Sequence, residues 1–203
     1  MLHRIALLTA GIALVCAVVL FFATNKLPAS RGGWAALVLC VFALPLFAVT
    51  SGTTYAVQAS SSTEFCLECH EMEDYGRSLF VDDHTVLPAT HYQNRLVQRD
   101  HACYACHADY AMWGDVKAKL NGLKHVWVHY LGEIPDTFEL YQPYPNSNCL
   151  HCHSDGRRYV EVAPHVDKLE AMANDEVSCL TCHGKGHALD QVAAGNFWLG
   201  PTP

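Results

Sequence analysis

Two apolar runs open the chain, and none of comparable length follows. Residues 5–24, IALLTAGIALVCAVVLFFAT, form 20 consecutive uncharged positions, enough for a helix to span a bilayer. Residues 34–50, WAALVLCVFALPLFAVT, give 17 more, with Pro45 inside, and weakly polar residues up to about 57 extend them. This pattern predicts a membrane anchor over 1–58 made of two transmembrane helices, 5–24 and 34–52. Arg4 alone precedes the first run, whereas the linker NKLPASRGG carries Lys26 and Arg31. The positive-inside bias puts that linker in the cytoplasm, sends the second helix outward and leaves the N-terminus outside. The alternative for 5–24 is a signal peptide; it lacks a clean small-x-small cleavage site, and its apolar core is long for one.

The polar remainder repeats one pattern four times. CLECH (Cys66, Cys69, His70), CYACH (Cys103, Cys106, His107), CLHCH (Cys149, Cys152, His153) and CLTCH (Cys179, Cys182, His183) each read Cys-x-x-Cys-His. Two thiols at this spacing can form thioethers to the vinyl groups of one haem, and the following His is delivered to the iron. Four-thiolate zinc sites would use the cysteine pairs but give no reason for a His after every second Cys; disulfides give none either. The motifs therefore predict four covalently attached haem c groups. Cys16 and Cys40 remain, each inside an apolar run, as small buried hydrophobes.

Such haems are attached outside the cytoplasmic membrane, in agreement with the topology that the charges predict. About 130 residues, 59–190, must hold four porphyrins, so the cofactors must supply much of the buried apolar surface. The expected fold class is mainly α and loop: an N-terminal transmembrane helix or helices, then a compact multihaem domain organised around its haems, and a C-terminal tail, 191–203, whose NFWLGPTP (196–203) is read as disorder rather than a docking strip. The net charge of −7 argues against nucleic acid and offers no basic patch for lipid head groups.

Residues 66–110 and 149–187 look like two copies of a dihaem unit. Each has a motif, a polar segment with an isolated His, then a second motif; His91 and His165 fall in matching places. The region offers eight non-motif histidines as second axial ligands: His84, His91, His101, His125, His129, His151, His165 and His187. His91, His165 and His187 are the favoured ones. His187 follows His183 closely, but the matching place after the second motif holds Ala111. That difference predicts one iron with an open face, at the opening motif, unless neighbouring Met112 fills it.

These residues resemble the NapC/NirT family, membrane-anchored tetrahaem quinol dehydrogenases that include the small subunit of cytochrome c nitrite reductase. The likeness covers roughly 62–190 and rests on EFCLECHEM, THYQNR, the WG at 113–114, HYLGEIP at 129–135 and a His soon after the last motif. It implies that Met72 of C-x-x-C-H-x-M ligates the first iron, its other face vacant beside a quinol pocket, whereas the motif alone favours His70. It also implies His91 for the fourth haem and His187 for the third; the repeat then suggests His165 for the second. Two departures stand out. The family usually has one N-terminal helix. Where the nitrite reductase subunit has an Asp near the vacant face, this chain has His125, and a quinol-pocket Lys aligns with Ala118, flanked by Lys117 and Lys119.

The expected function is oxidation of menaquinol or ubiquinol at the cytoplasmic membrane of a bacterium, with electrons passed to a periplasmic reductase or multihaem cytochrome in anaerobic respiration. The quinol-site candidates are His125, Lys117, Lys119 and Glu71, with Glu73 as a further base. An electron-relay subunit without its own quinol site is the competing reading, and a gas sensor a distant third.

Overall fold

The structure, a computed structural model, describes residues 2–23, 31–108, 110, 113–133, 140, 143–184 and 186–198. Lys26, Ala111, Met112, the Ile134–Pro135 end of HYLGEIP and residues 199–203 lie outside them. The chain divides into two units, Met1–Ser60 and Ser61–Pro203.

The first unit is a pair of helices, α1 (Leu2–Ala23) and α2 (Arg31–Ala59), packed against each other. Among the described residues α2 is the one helix long and apolar enough to cross a membrane; Leu7–Val19 of α1 is a shorter apolar stretch. The α2 helix outruns its expected end at 52. Polar residues continue it because their hydroxyls donate back to the helix: Thr50 to Leu46 O at 2.9 Å, Ser51 to Ala48 O at 3.1 Å and Thr54 to Thr50 O at 2.9 Å. Pro45 removes a donor and crowds the carbonyl four residues back. The helix meets it with a π turn over Leu39–Ala43, closed by Leu44 N–H donating to Leu39 O. Cys16 and Cys40, one on each helix, lie side by side.

The second unit is short helices joined by turns. Its only β feature among the described residues is the isolated bridge Val81–Phe197. The main helices are α3 (Leu87–Gln93), α4 (Ala102–His107), α5 (Gly114–Leu131), α6 (Ser147–His153) and α7 (Leu189–Ala193). The polypeptide core is small, Val81, Val86, Ala89, Ala188 and Val192 with Phe197 packed on it. It ties the region after the first motif to the region after the last. The tail is thereby corrected in part: Trp198 N–H donates to Phe80 O at 2.9 Å, and Phe197 covers the core, so 196–198 is structured. Apolar side chains beside the motifs, among them Phe65, Leu67, Val162 and Val166, stay exposed, which leaves surface for porphyrin faces to cover.

Candidate cofactor-binding site

Each pair of motifs, first with second and third with fourth, is pinned by one buried polar side chain, three residues before its first cysteine. In the first half Thr63 Oγ1 donates to Arg99 O at 2.7 Å and accepts from Ala102 N–H at 2.8 Å. In the second Asn146 donates to Met172 O and Val177 O, at 2.8 and 2.7 Å, and accepts from Cys179 N–H at 2.9 Å. Both bonds seat the backbone leading into the next motif. The thiols of Cys66 and Cys103 hydrogen-bond each other, and so do those of Cys149 and Cys179. Between the halves α4 packs on α6. There Asn148 Nδ2 and Tyr144 Oη donate to Cys106 O at 3.0 and 2.5 Å. The motifs thus touch in the order first, second, third, fourth. Among the described residues no three His, Cys, Asp or Glu side chains converge to hold a metal ion.

The imidazoles provide the test of fit for haem. Bound through Nε2 at about 2 Å, each ring centre lies about 3.1 Å from iron, so two trans rings stand about 6.2 Å apart. Ring centres of His91 and His153 are 6.1 Å apart, those of His107 and His187 6.1 Å, and those of His165 and His183 6.2 Å. Tautomers agree. His91 Nδ1 lies 2.8 Å from Leu87 O, and His165 Nδ1 3.0 Å from Tyr159 O; a carbonyl only accepts, so each Nδ1 carries the proton. Ser78 Oγ gives its one proton to Tyr75 O at 2.6 Å, and therefore accepts from His187 Nδ1, also 2.6 Å away. All three Nε2 atoms keep the lone pair that a metal requires. Burial, and then the neighbouring His107 ring, pushes the His187 pKa down to about 4; burial, and then His125, lowers that of His107. Both shifts favour the neutral ring, the ligating form.

These pairings differ from those implied by the resemblance and the repeat. His91 faces His153 of the third motif, not the fourth; His187 faces His107 of the second, not the third; His165 faces His183 of the fourth, not the second. The cause is packing across the halves. Helix α7 lies on the turn Glu73–Ser78, and Ser78 holds His187, which draws the last segment onto the first half.

The opening motif is built differently. His70 and His129 also stand 6.1 Å apart, but a carboxylate occupies their nitrogens: Glu71 Oε1 lies 3.1 Å from His70 Nε2 and 2.8 Å from His129 Nδ1. Its side chain is 12% exposed. A hydrogen bond to its own backbone, with the two nearby imidazoles, lowers the Glu71 pKa against the opposing effect of burial. Met72 follows on the same turn, half-buried, with its N–H donating to Cys69 O at 3.0 Å. Glu73 and Asp74 face solvent and pair with Arg77.

Helix α5 supplies the other candidates. Lys119 Nζ donates to Ser61 Oγ at 2.7 Å and sits 4.2 Å over the Tyr104 ring; Tyr104 Oη donates to Asp115 at 3.0 Å. Lys117 is exposed. His125 is one turn before His129; partial withdrawal from water, then Lys124, lowers its pKa. Gly132, in extended backbone, follows the last residue of the helix, and a Cβ there would meet Val128 Cα at 3.0 Å. Sequence reasoning named His129 without weighting it. The available signal was its i+4 relation to His125 on one helix face. Of the other histidines, His101 Nδ1 lies 2.8 Å from Ser61 O, and His151 stacks on Tyr110 at 3.8 Å.

Residues 28–192 match the NapC/NirT cytochrome c family, N-terminal region. The chain is 24% identical over 194 residues to the cytochrome c-type protein TorC of Escherichia coli (strain K12), covering 84% of this chain and 47% of that protein. It is 25% identical over 164 residues to the cytochrome c-type protein NapC of Haemophilus influenzae, covering 70% and 75%. It is 24% identical over 170 residues to that of Paracoccus pantotrophus, covering 74% and 68%. The chain thus spans about half the length of the TorC protein. No solved structure matches it.

Proposed function

The chain belongs to the NapC/NirT cytochrome c family, and from that premise we propose a membrane-anchored tetrahaem quinol dehydrogenase that passes electrons to a periplasmic reductase. Haem c, when bound, supplies one-electron carriers that accept a quinol's two electrons singly. The cysteines of the four motifs hold it. His107 with His187, His153 with His91 and His183 with His165 hold the irons at the second, third and fourth motifs. The order of motif contacts supports a relay from first to fourth. Both α1 and α2 span the membrane in this reading, with Arg31 at the cytoplasmic end of α2 and the second unit on the outer face.

One observation carries the choice of electron entry: Glu71 Oε1 stands at the very nitrogen, His70 Nε2, that an iron would need. Met72 rather than His70 would therefore hold the first iron, and a thioether there would favour a higher potential than a second imidazole. His70, Glu71 and His129 are then free to handle protons. A quinol releases two protons with its two electrons. His125, held neutral by its lowered pKa, can accept one of them; Glu71, held as a carboxylate, can accept the other from the quinol and hand it on to His129, 2.8 Å away. Lys119 and Lys117 orient the quinol oxygens.

The spacing of 6.1 Å favours a second reading, in which Glu71 swings away and His70 and His129 ligate the first iron. The proposal is tested by adding a menaquinol analogue to the haem-loaded chain in vesicles and following haem absorption. Rapid reduction that slows at least tenfold in His125→Ala supports it. Haems that dithionite reduces but quinol does not would leave the chain a relay subunit and end the proposal.

A further inference from the structure

Helix α5 is amphipathic in the wrong sense for a soluble domain. Trp113, Val116, Leu120, Leu123, Trp127 and Tyr130 recur at alternating steps of three and four, which places them on one face. Their exposure runs from 54% at Val116 to 75% at Tyr130. The helix is fastened to the rest of its unit by polar groups on its other sides: Asp115 to Tyr104, Lys119 to Ser61 and His129 to Glu71. An apolar stripe of this length facing water is costly, since each fully buried large side chain is worth about 1.5–3 kcal/mol.

We propose that this face of α5 lies in the lipid interface of the membrane that anchors the chain, bound to an anionic phospholipid surface. Three observations favour lipid over a protein partner. Lys119 donates to Ser61, which in the sequence follows the last residue of α2, Ala59, by only two residues. The overall charge of −7 led to the expectation of no basic patch for head groups, but α5 gathers Lys117, Lys119 and Lys124, three of the chain's six lysines, which complements acidic head groups. Aromatic residues stand at both ends of the stripe, as on helices that rest at the head-group level. The inference needs the anchor but not the quinol chemistry.

The test uses the full haem-loaded chain in vesicles of phosphatidylethanolamine and phosphatidylglycerol that carry a photoactivatable acyl chain. After illumination, mass spectrometry should find lipid adducts on the peptide covering 113–131 as well as on α2. The double variant Leu120→Gln, Leu123→Gln should lower the adducts on that peptide at least tenfold, with α2 labelling and haem content unchanged. Adducts confined to the anchor would overturn the proposal. So would a loss of haem in the variant, which would put the stripe against the cofactors, or cross-links joining this face to a second copy or another protein.

Discussion

Thr63 and Asn146 hold the same position before the first and third motifs, and the difference between them lies in how many backbone groups each satisfies. Each stands three residues before a motif's first cysteine and fixes the approach to the next. Thr63 satisfies one carbonyl and one N–H; Asn146 satisfies two carbonyls and one N–H. These pins act within each pair of motifs. The histidine contacts cross between the pairs: His91 lies against His153 of the third motif, and His187 against His107 of the second. With these rings as the proposed ligands, each pair would depend on the other, while the opening motif, with Glu71 between His70 and His129, would stay outside the exchange.

The largest effect should come from the pins. Asn146→Ala strands three buried groups at about 1–3 kcal/mol each, and Thr63→Val strands two. Denaturant unfolding of the haem-loaded protein should show the Asn146 variant destabilised by about 4 kcal/mol and the Thr63 variant by about 2. Equal losses would mean that the halves are not built on the same plan. Next, His91→Ala should convert the third haem to high spin, and His187→Ala the second, without loss of either covalent attachment; electron paramagnetic resonance reads this directly. If His91→Ala changes the fourth haem instead, the exchange between halves is wrong.

A smaller effect is expected at the opening motif. Glu71→Gln keeps the shape but loses the charge that holds His129, and should slow quinol oxidation about tenfold, or about 1.4 kcal/mol, while leaving the spectra of the other three haems unaltered. The smallest effect is a shift in pH dependence. Because His125 has a lowered pKa, it gains a proton only below the ordinary value of about 6.5, and the acid limb of the quinol-oxidation rate should lie there. As pH falls through that limb the base is lost and the rate drops; in His125→Ala the limb should disappear.

Much of this organisation was legible in the sequence. The Cys-x-x-Cys-His motifs are local and speak for themselves, and hydrophobic length found α2 together with the polar extension that its hydroxyl back-bonds allow. The repeat was visible through His91 and His165. Which histidine meets which motif was not legible, because that depends on α4 packing against α6 and on α7 lying across Glu73–Ser78, contacts distant in sequence. The contact of His129 with Glu71 was hidden for the same reason: 58 residues separate them. The ordering of Phe197 and Trp198 likewise depends on a core that Val81 and Val86 supply from far upstream.

The account depends most on the first haem being held unlike the other three. Near-infrared magnetic circular dichroism of the fully oxidised, haem-loaded chain separates methionine-ligated from bis-imidazole haem. The account predicts three bis-imidazole haems and one whose signal is that of methionine ligation and disappears in Met72→Ala. Four equivalent bis-imidazole haems, unchanged in that variant, would contradict it.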